Sequence, residues 1–431
     1  MKRIYLDYAA TSPVKNEVFE AMKPYFTGGF GNPSSIHWFG RQTRGAIDKA
    51  RQTVAEFLNC MPEEIIFTSG GTESDNLAIR GIIAKFQNPN DKFQINSKLQ
   101  IQKSKFKSYP SPLKPHIITS TFEHHAILHT CQDLEKQGLA EVTYIKPDHE
   151  GIISIEDIKK AIKLNTVLVS IMYVNNEIGM VQPISEISLL ISRYNESRIM
   201  YKGGNHNTLF LIPNTRILFH TDAVQAVEYQ EMDVKKLGVD MLSLSAHKFG
   251  GPKGVGILYI KKGTPISAIQ TGGAQEWHKR AGTENVASII GMAEAVRLLE
   301  LKTNNEKLKT MELREYFIDQ IFEKIPDVML NGSRERRNPN NVNISFKYIE
   351  GEAILLNLDI AGIAASSGSA CTSGSLEPSH VLLSIGLKHE DAHGSVRFTL
   401  GEKTTKEEID FTIKKLVEIV KRLRKMSPFG K

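Results

Sequence analysis

Lys248 stands in the run Ser245-Ala246-His247-Lys248-Phe249-Gly250-Gly251-Pro252-Lys253-Gly254, directly after the apolar stretch Met241-Leu242-Ser243-Leu244. An amine presented at a strand end, partly out of water, can drop in pKa and form a Schiff base with an aldehyde. Alone, the same lysine reads rather as a surface residue on a turn, so its company decides. Ser69-Gly70-Gly71-Thr72-Glu73 follows the apolar Ile65-Ile66-Phe67 and precedes a helical pattern. Glycines there let the backbone approach an anion while N–H groups and the Thr72 hydroxyl point at it. A tight turn with an N-cap is the plainer alternative. Ser245 and His247 add two donors, a set that suits a phosphate dianion. Asp222 closes Phe219-His220-Thr221-Asp222, where a carboxylate can pair with a pyridinium nitrogen or merely cap the next segment. His124, in Glu123-His124-His125, offers an imidazole able to stack on a ring or move protons. Arg397 offers a planar guanidinium that matches a carboxylate with two parallel hydrogen bonds.

Cys371 has unusual surroundings. The stretch Ala365-Ser366-Ser367-Gly368-Ser369-Ala370-Cys371-Thr372-Ser373-Gly374-Ser375 is too polar and too supple for a core strand. Such a loop exposes its thiol, whereas Cys60 and Cys131 read as buried filler.

The elements that must position these residues form a regular pattern. Strand-like runs at 65–67, 117–118, 142–145, 167–172, 217–219, 241–244 and 257–260 alternate with helical patterns at about 72–84, 126–137 and 184–194. That rhythm predicts a mostly parallel sheet covered on both faces. After Lys262-Gly263 the pattern changes to long charged helices, Val286 to Glu300 and Lys406 to Lys425, with strands such as Val342 to Phe346. The expected division is a large α/β domain over 16–262 and a smaller α+β domain made of 1–15 and 263–431. Two stretches break the rhythm, about 87–115, with six lysines and one aspartate, and about 198–216. Both exceed the roughly 2–6 residues usual for such connections and read as surface insertions.

Composition narrows the function class. The 431 residues carry 54 Lys and Arg against 48 Asp and Glu, and a net charge of +6 without a basic stripe does not make a nucleic-acid binder. No run of about eighteen apolar residues occurs, so no membrane span is expected. Met1-Lys2-Arg3 leads straight into Ile4-Tyr5-Leu6, without a signal-peptide pattern, and three cysteines are too few for a disulfide framework. The expectation is a cytoplasmic enzyme.

Taken in order, these segments resemble the NifS/IscS-type (class I) cysteine desulfurases, within the aspartate-aminotransferase-like, fold type I, pyridoxal-phosphate enzymes. The likeness runs from Tyr5-Leu6-Asp7-Tyr8-Ala9-Ala10-Thr11 to Arg397-Phe398-Thr399-Leu400-Gly401, and includes Asn175-Asn176-Glu177-Ile178-Gly179 and Arg280-Ala281-Gly282-Thr283-Glu284-Asn285. It implies a seven-stranded, mostly parallel sheet in the large domain. It implies pyridoxal 5'-phosphate held by Lys248, with His124 stacked on the ring, Asp222 at the ring nitrogen and Gln225 at the ring hydroxyl. Gly71, Thr72, Ser245 and His247 would hold the phosphate, and Thr283 would reach the phosphate of a neighbouring subunit in a homodimer. Asn175 and Arg397 would bind the carboxylate of L-cysteine, and Cys371 would take its sulfur as a persulfide, leaving L-alanine. No intrinsic metal is implied, although Cys371 is placed to ligate an iron–sulfur cluster transiently with a scaffold or other sulfur-acceptor partner. Selenocysteine lyases and aminotransferases share the fold, and an inactive partner-binding scaffold is the non-enzymatic alternative. Ala274 stands where the family commonly has a third glycine, and the C-terminus is short for an IscS-like tail.

Overall fold

The computed structural model describes residues 3–87, 114–200, 216–367 and 378–428. Its strands in chain order are β1 (Ile4–Tyr5), β2 (Ile65–Thr68), β3 (His116–Ser120), β4 (Glu141–Ile145), β5 (Thr166–Ser170) and β6 (Leu218–Asp222). They continue with β7 (Met241–Ser245), β8 (Gly256–Ile260), β9 (Val328–Leu330), β10 (Asn341–Phe346), β11 (Ile363–Ala364) and β12 (Ser395–Thr399). Seven of them form one sheet in the order β2-β8-β7-β6-β5-β3-β4. Neighbours from β7 to β4 are parallel, and β8 runs against both β7 and β2. This is the doubly covered sheet that the alternating pattern predicts.

Period-two burial explains the covering. Ile65, Phe67, Phe219, Leu242, Leu244 and Ile257 join a core shared with the helices Trp38–Phe57 and Val286–Glu300. Their sequence neighbours Ile66, Leu218, Met241 and Leu258 join a core on the opposite face, under the helices Gly71–Gln87 and His125–Lys136. Strands buried on both faces have no polar side, which accounts for their near-continuous Ile, Leu and Val content.

A third core lies around β12-β10-β9 and the helices Asn304–Lys324, Gly351–Ile360 and Lys406–Met426. Ile4 and Leu6 belong to it, because β1 pairs in parallel with β11. Two details differ from the sequence reading. The helix Val286–Glu300 packs in the large core rather than the small one, as do Val381, Leu382 and Ala392, so division at 262/263 does not follow the packing. The helix expected to end near Tyr194 continues to Met200, which makes the start of the second supposed insertion helical. Residues 88–113 and 201–215, the greater part of the two insertions, and residues 368–377 with Cys371, lie outside the described residues.

Candidate active site

The C-terminal ends of β6 and β7 bring the main candidates together. In a parallel sheet these ends open onto the crevice where ligands bind. β7 ends at Ser245 and passes through one short turn, Ala246–Lys248, so Ser245, His247 and Lys248 leave the sheet together. A cavity of about 460 Å³ is lined by Gly70, Gly71, Thr72, Ser245 and His247, and also by Ala10, Thr11 and Lys253. All four residues predicted to hold a phosphate therefore meet on one cavity. Gly70 has φ of +153°, and a Cβ on Gly71 would come within 2.9 Å of the Val224 side chain. The glycines are what let the loop turn into the helix Gly71–Gln87 with its first N–H groups uncovered.

Lys248 crosses to the N-terminal segment, where Nζ donates to the carbonyl oxygens of Ala9 (2.6 Å) and Ala10 (3.0 Å). Gln225 donates to the same Ala9 oxygen at 2.9 Å. Asp222 is buried, with Oδ1 accepting the Val224 N–H at 2.9 Å. Burial pushes its carboxyl up to about 6, against the pull of that N–H and of the Lys248 charge. His124 caps the helix His125–Lys136, its ring nitrogen accepting the Ala126 N–H. Burial and the Lys248 charge hold its imidazole down at about 4, so it is neutral at physiological pH, as a stacking ring should be. His247 is held at about 4 in the same way.

Arg397 projects from β12 and is almost fully buried. It pairs with Asp7 at 2.9 Å and donates to the Asn176 carbonyl at 2.7 Å, while its Nε has no partner. Asn175 lies in the same turn as Asn176, after β5. Its amide donates to the Phe122 carbonyl and the Met172 sulfur, and its Oδ1 accepts the Glu177 and Ile178 N–H groups. In this arrangement Asn175 folds the turn and offers no spare donor to a substrate. Thr283 is exposed and does not line the cavity.

Sequence reasoning passed over the N-terminal segment as chemistry. Thr11 lies 3.2 Å from the His247 ring, and Ser12 donates to the His247 carbonyl, so residues 9–12 form the lid of the lysine turn. The signal was the motif Asp7-Tyr8-Ala9-Ala10-Thr11 itself, far from Lys248 in sequence. Lys253, within the lysine-bearing run, was likewise not singled out. Cys60 and Cys131 carry thiols that burial pushes up, Cys60 to about 12, so neither is a ready nucleophile. Among the described residues no group of three or more His, Cys, Asp and Glu is arranged to hold a metal ion.

The residues present fit pyridoxal phosphate: an anion cradle of glycines and hydroxyls, an amine beside it, and a buried carboxylate next to that amine. The class-V aminotransferase model matches residues 4–98, 106–199 and 207–411. The cysteine desulfurase IscS of Dictyoglomus turgidum is 50% identical over 430 residues, covering 100% of this chain and 98% of the relative. Among solved structures, a NifS-like protein superposes with a TM-score of 0.82 at 32% identity, covering 98% of this chain and all of the other. A structure described as SspA in complex with cysteine gives a TM-score of 0.74 at 33% identity, covering 94% of this chain and all of that one.

Proposed function

Because the chain belongs to the class-V aminotransferase family, we propose that it is a cysteine desulfurase, converting L-cysteine to L-alanine and carrying the sulfur as a persulfide on Cys371. The observation that carries this reading is the 50% identity, end to end, with a cysteine desulfurase. The glycine-lined cavity at the end of β7, with Lys248 and the buried Asp222 near it, supports it independently.

Enzymes of this family use pyridoxal 5'-phosphate, which when bound draws electrons from the substrate's α-carbon and so weakens the C–S bond. Lys248 would hold it through the amine, Asp222 at the ring nitrogen, Gln225 at the ring hydroxyl and His124 against the ring face. Gly71, Thr72, Ser245 and His247 would hold its phosphate. Lys248, released to the substrate, removes the α-proton of cysteine as a general base. Arg397 takes the substrate carboxylate, for which its Nε is an unused donor. The Cys371 thiolate attacks the substrate sulfur: a new S–S bond forms, the C–S bond breaks, and the electron pair stays with the substrate carbon. Protonation of that carbon, and return of a proton to the α-carbon by Lys248, yield alanine.

A homodimer belongs to the same proposal. Phe26, Phe30, Ile36 and Trp38 are exposed close together along the chain, from the helix Pro24–Thr27 to the start of the helix Trp38–Phe57, an apolar stretch that suits burial against a second copy. Thr283, outside the cavity of its own chain, would then serve the partner's phosphate site. Delivery of sulfur to an iron–sulfur scaffold or other acceptor, and a cytoplasmic location, complete the proposal. Among the described residues no helix is long and apolar enough to cross a membrane.

The test is Cys371→Ser. It should bind the cofactor and still change absorbance on addition of cysteine, yet release essentially no alanine and form no persulfide. Mass spectrometry of the parent after one turnover should find the added sulfur on Cys371 alone. Alanine made by Cys371→Ser at the parent rate would replace the persulfide route with a lyase.

A further inference from the structure

Beneath Asp222 lies a second carboxyl that the proposed chemistry does not use. Asp75, in the helix Gly71–Gln87, is 1% exposed, and its Oδ1 has no hydrogen-bond partner. That oxygen is 3.7 Å from Nε2 of His220, a fully buried ring on β6 two residues before Asp222. The ring is held between two hydroxyls, Ser170 on β5 at Nδ1 (2.9 Å) and Ser243 on β7 at Nε2 (3.0 Å). Ser243 also lies near the Asp75 carboxyl, where its hydroxyl pulls the carboxyl's pKa down against the burial that raises it. Asp75, Ser243, His220 and Ser170 thus form one chain from the helix across three strands.

Two directions of hydrogen bonding satisfy this chain. With Asp75 ionised, every hydrogen points toward its carboxylate. With Asp75 protonated, its O–H donates to Ser243, Ser243 donates to His220 Nε2, and His220 Nδ1–H donates to Ser170. The surroundings choose between them. The titratable groups acting on Asp75 are Asp222 and His220 on β6 and Glu123 behind β3, none of them a permanent cation. Burial holds His220 neutral, down at about 3, and lifts Glu123 up to about 8. A second ionised carboxylate so close to Asp222 would have neither water nor a counter-charge, a cost that proteins avoid by protonation. Asp222 has what Asp75 lacks: the Val224 N–H and the nearby Lys248 ammonium.

We propose that Asp75 is a positioning residue, a neutral acid whose proton starts the hydrogen-bonded chain through Ser243, His220 and Ser170, so that the negative charge of the carboxyl pair stays on Asp222. Its consequence for turnover rests on the reading that Asp222 meets the cofactor's ring nitrogen; the proton's location does not.

The experiment therefore begins with cofactor-free protein. The infrared difference spectrum between the parent and Asp75→Asn should show the loss of one protonated-carboxyl C=O band at neutral pH. Asp75 keeps its proton in the folded state above the pH at which the unfolded chain loses it, so the folded state binds more protons there. The parent should lose stability relative to Asp75→Asn as pH rises above about 4, by up to about tenfold in the folding equilibrium constant per pH unit. In the cofactor-loaded enzyme Asp75→Asn, whose amide can still donate to Ser243, should keep kcat within about threefold, while Asp75→Leu should lower it at least about tenfold with KM little changed. No lost carboxyl band, together with a parallel pH dependence of unfolding, would overturn the proposal. A lost band with equal activity in both variants would retain the protonated state but overturn the positioning role.

Discussion

The cofactor end of the proposed site and its carboxylate end are built in opposite ways. At the cofactor end, Asp222, Ser245, His247 and Lys248 all lie at or within three residues of the end of β6 or β7, and Gly71 and Thr72 start the helix after β2. Each is placed by one short turn on a buried sheet. At the carboxylate end, Arg397 is placed by segments far apart in the chain, Asp7 near the N-terminus and Asn176 in the turn after β5. That turn is a hub: Asn341 and Asn343 donate to the Glu177 carbonyl, Arg337 to the Ile178 carbonyl, and Ser379 to the Glu177 carboxyl. The first end inherits its rigidity from one sheet. The second exists only when two cores have met, so errors of domain packing fall on substrate binding before they fall on cofactor binding.

The largest break in this comparison is Lys248→Ala. It removes the amine that would hold the cofactor and move the α-proton, and the expected loss of turnover is at least about a thousandfold. The cofactor-end geometry should otherwise survive, because Lys248 reaches out of the sheet to Ala9 and Ala10 rather than into a core. Borohydride treatment followed by peptide mass spectrometry should find the reduced adduct on Lys248 in the parent and none in the variant. An adduct that persisted on another lysine would remove Lys248 from the mechanism.

The same asymmetry explains what was readable in the sequence. Lys248, Asp222, Thr72 and Ser245 announced themselves because strand, turn and glycine pattern are all local, and the strands themselves follow from period-two burial. The partnership of Arg397 with Asp7 spans nearly the entire chain, and no local pattern encodes it. Asn175 was legible only as an amide in a turn, which looks the same whether it serves a substrate or its own backbone. The packing of Val286–Glu300 on the large core was hidden because an apolar helix stripe does not say which core it faces.

Arg397→Lys sharpens the comparison at the carboxylate end. A lysine keeps the charge but cannot offer a guanidinium's parallel donors, and it leaves the Asn176 carbonyl or Asp7 short of a partner. The expected result is a KM for cysteine raised by about 10–100-fold, with the cofactor spectrum and its retention unchanged. A variant that lost cofactor in step with substrate affinity would show the two ends to be one unit.

The smallest effect is expected at the far side of the hub. Ser379 N-caps the short helix His380–Ser384 by accepting the Leu382 N–H, and its hydroxyl donates to the buried Glu177 carboxyl. Burial already raises the pKa of Glu177, so the carboxyl depends on its hydrogen bonds. Ser379→Ala removes a cap and a buried donor together, a cost of about 1–3 kcal/mol to be read as a shift in the denaturant midpoint at constant slope. Glu177 can relieve part of that cost by taking up a proton, which makes the loss smaller at acid pH than at neutral pH. Because the Glu177 backbone stays fixed by Asn341 and Asn343, the turn that supplies the Asn176 carbonyl should hold its place. The KM for cysteine should therefore rise less than about threefold. A rise as large as that of Arg397→Lys would mean that the hub transmits side-chain losses directly to the guanidinium, and that the carboxylate end is softer than its buried hydrogen bonds imply.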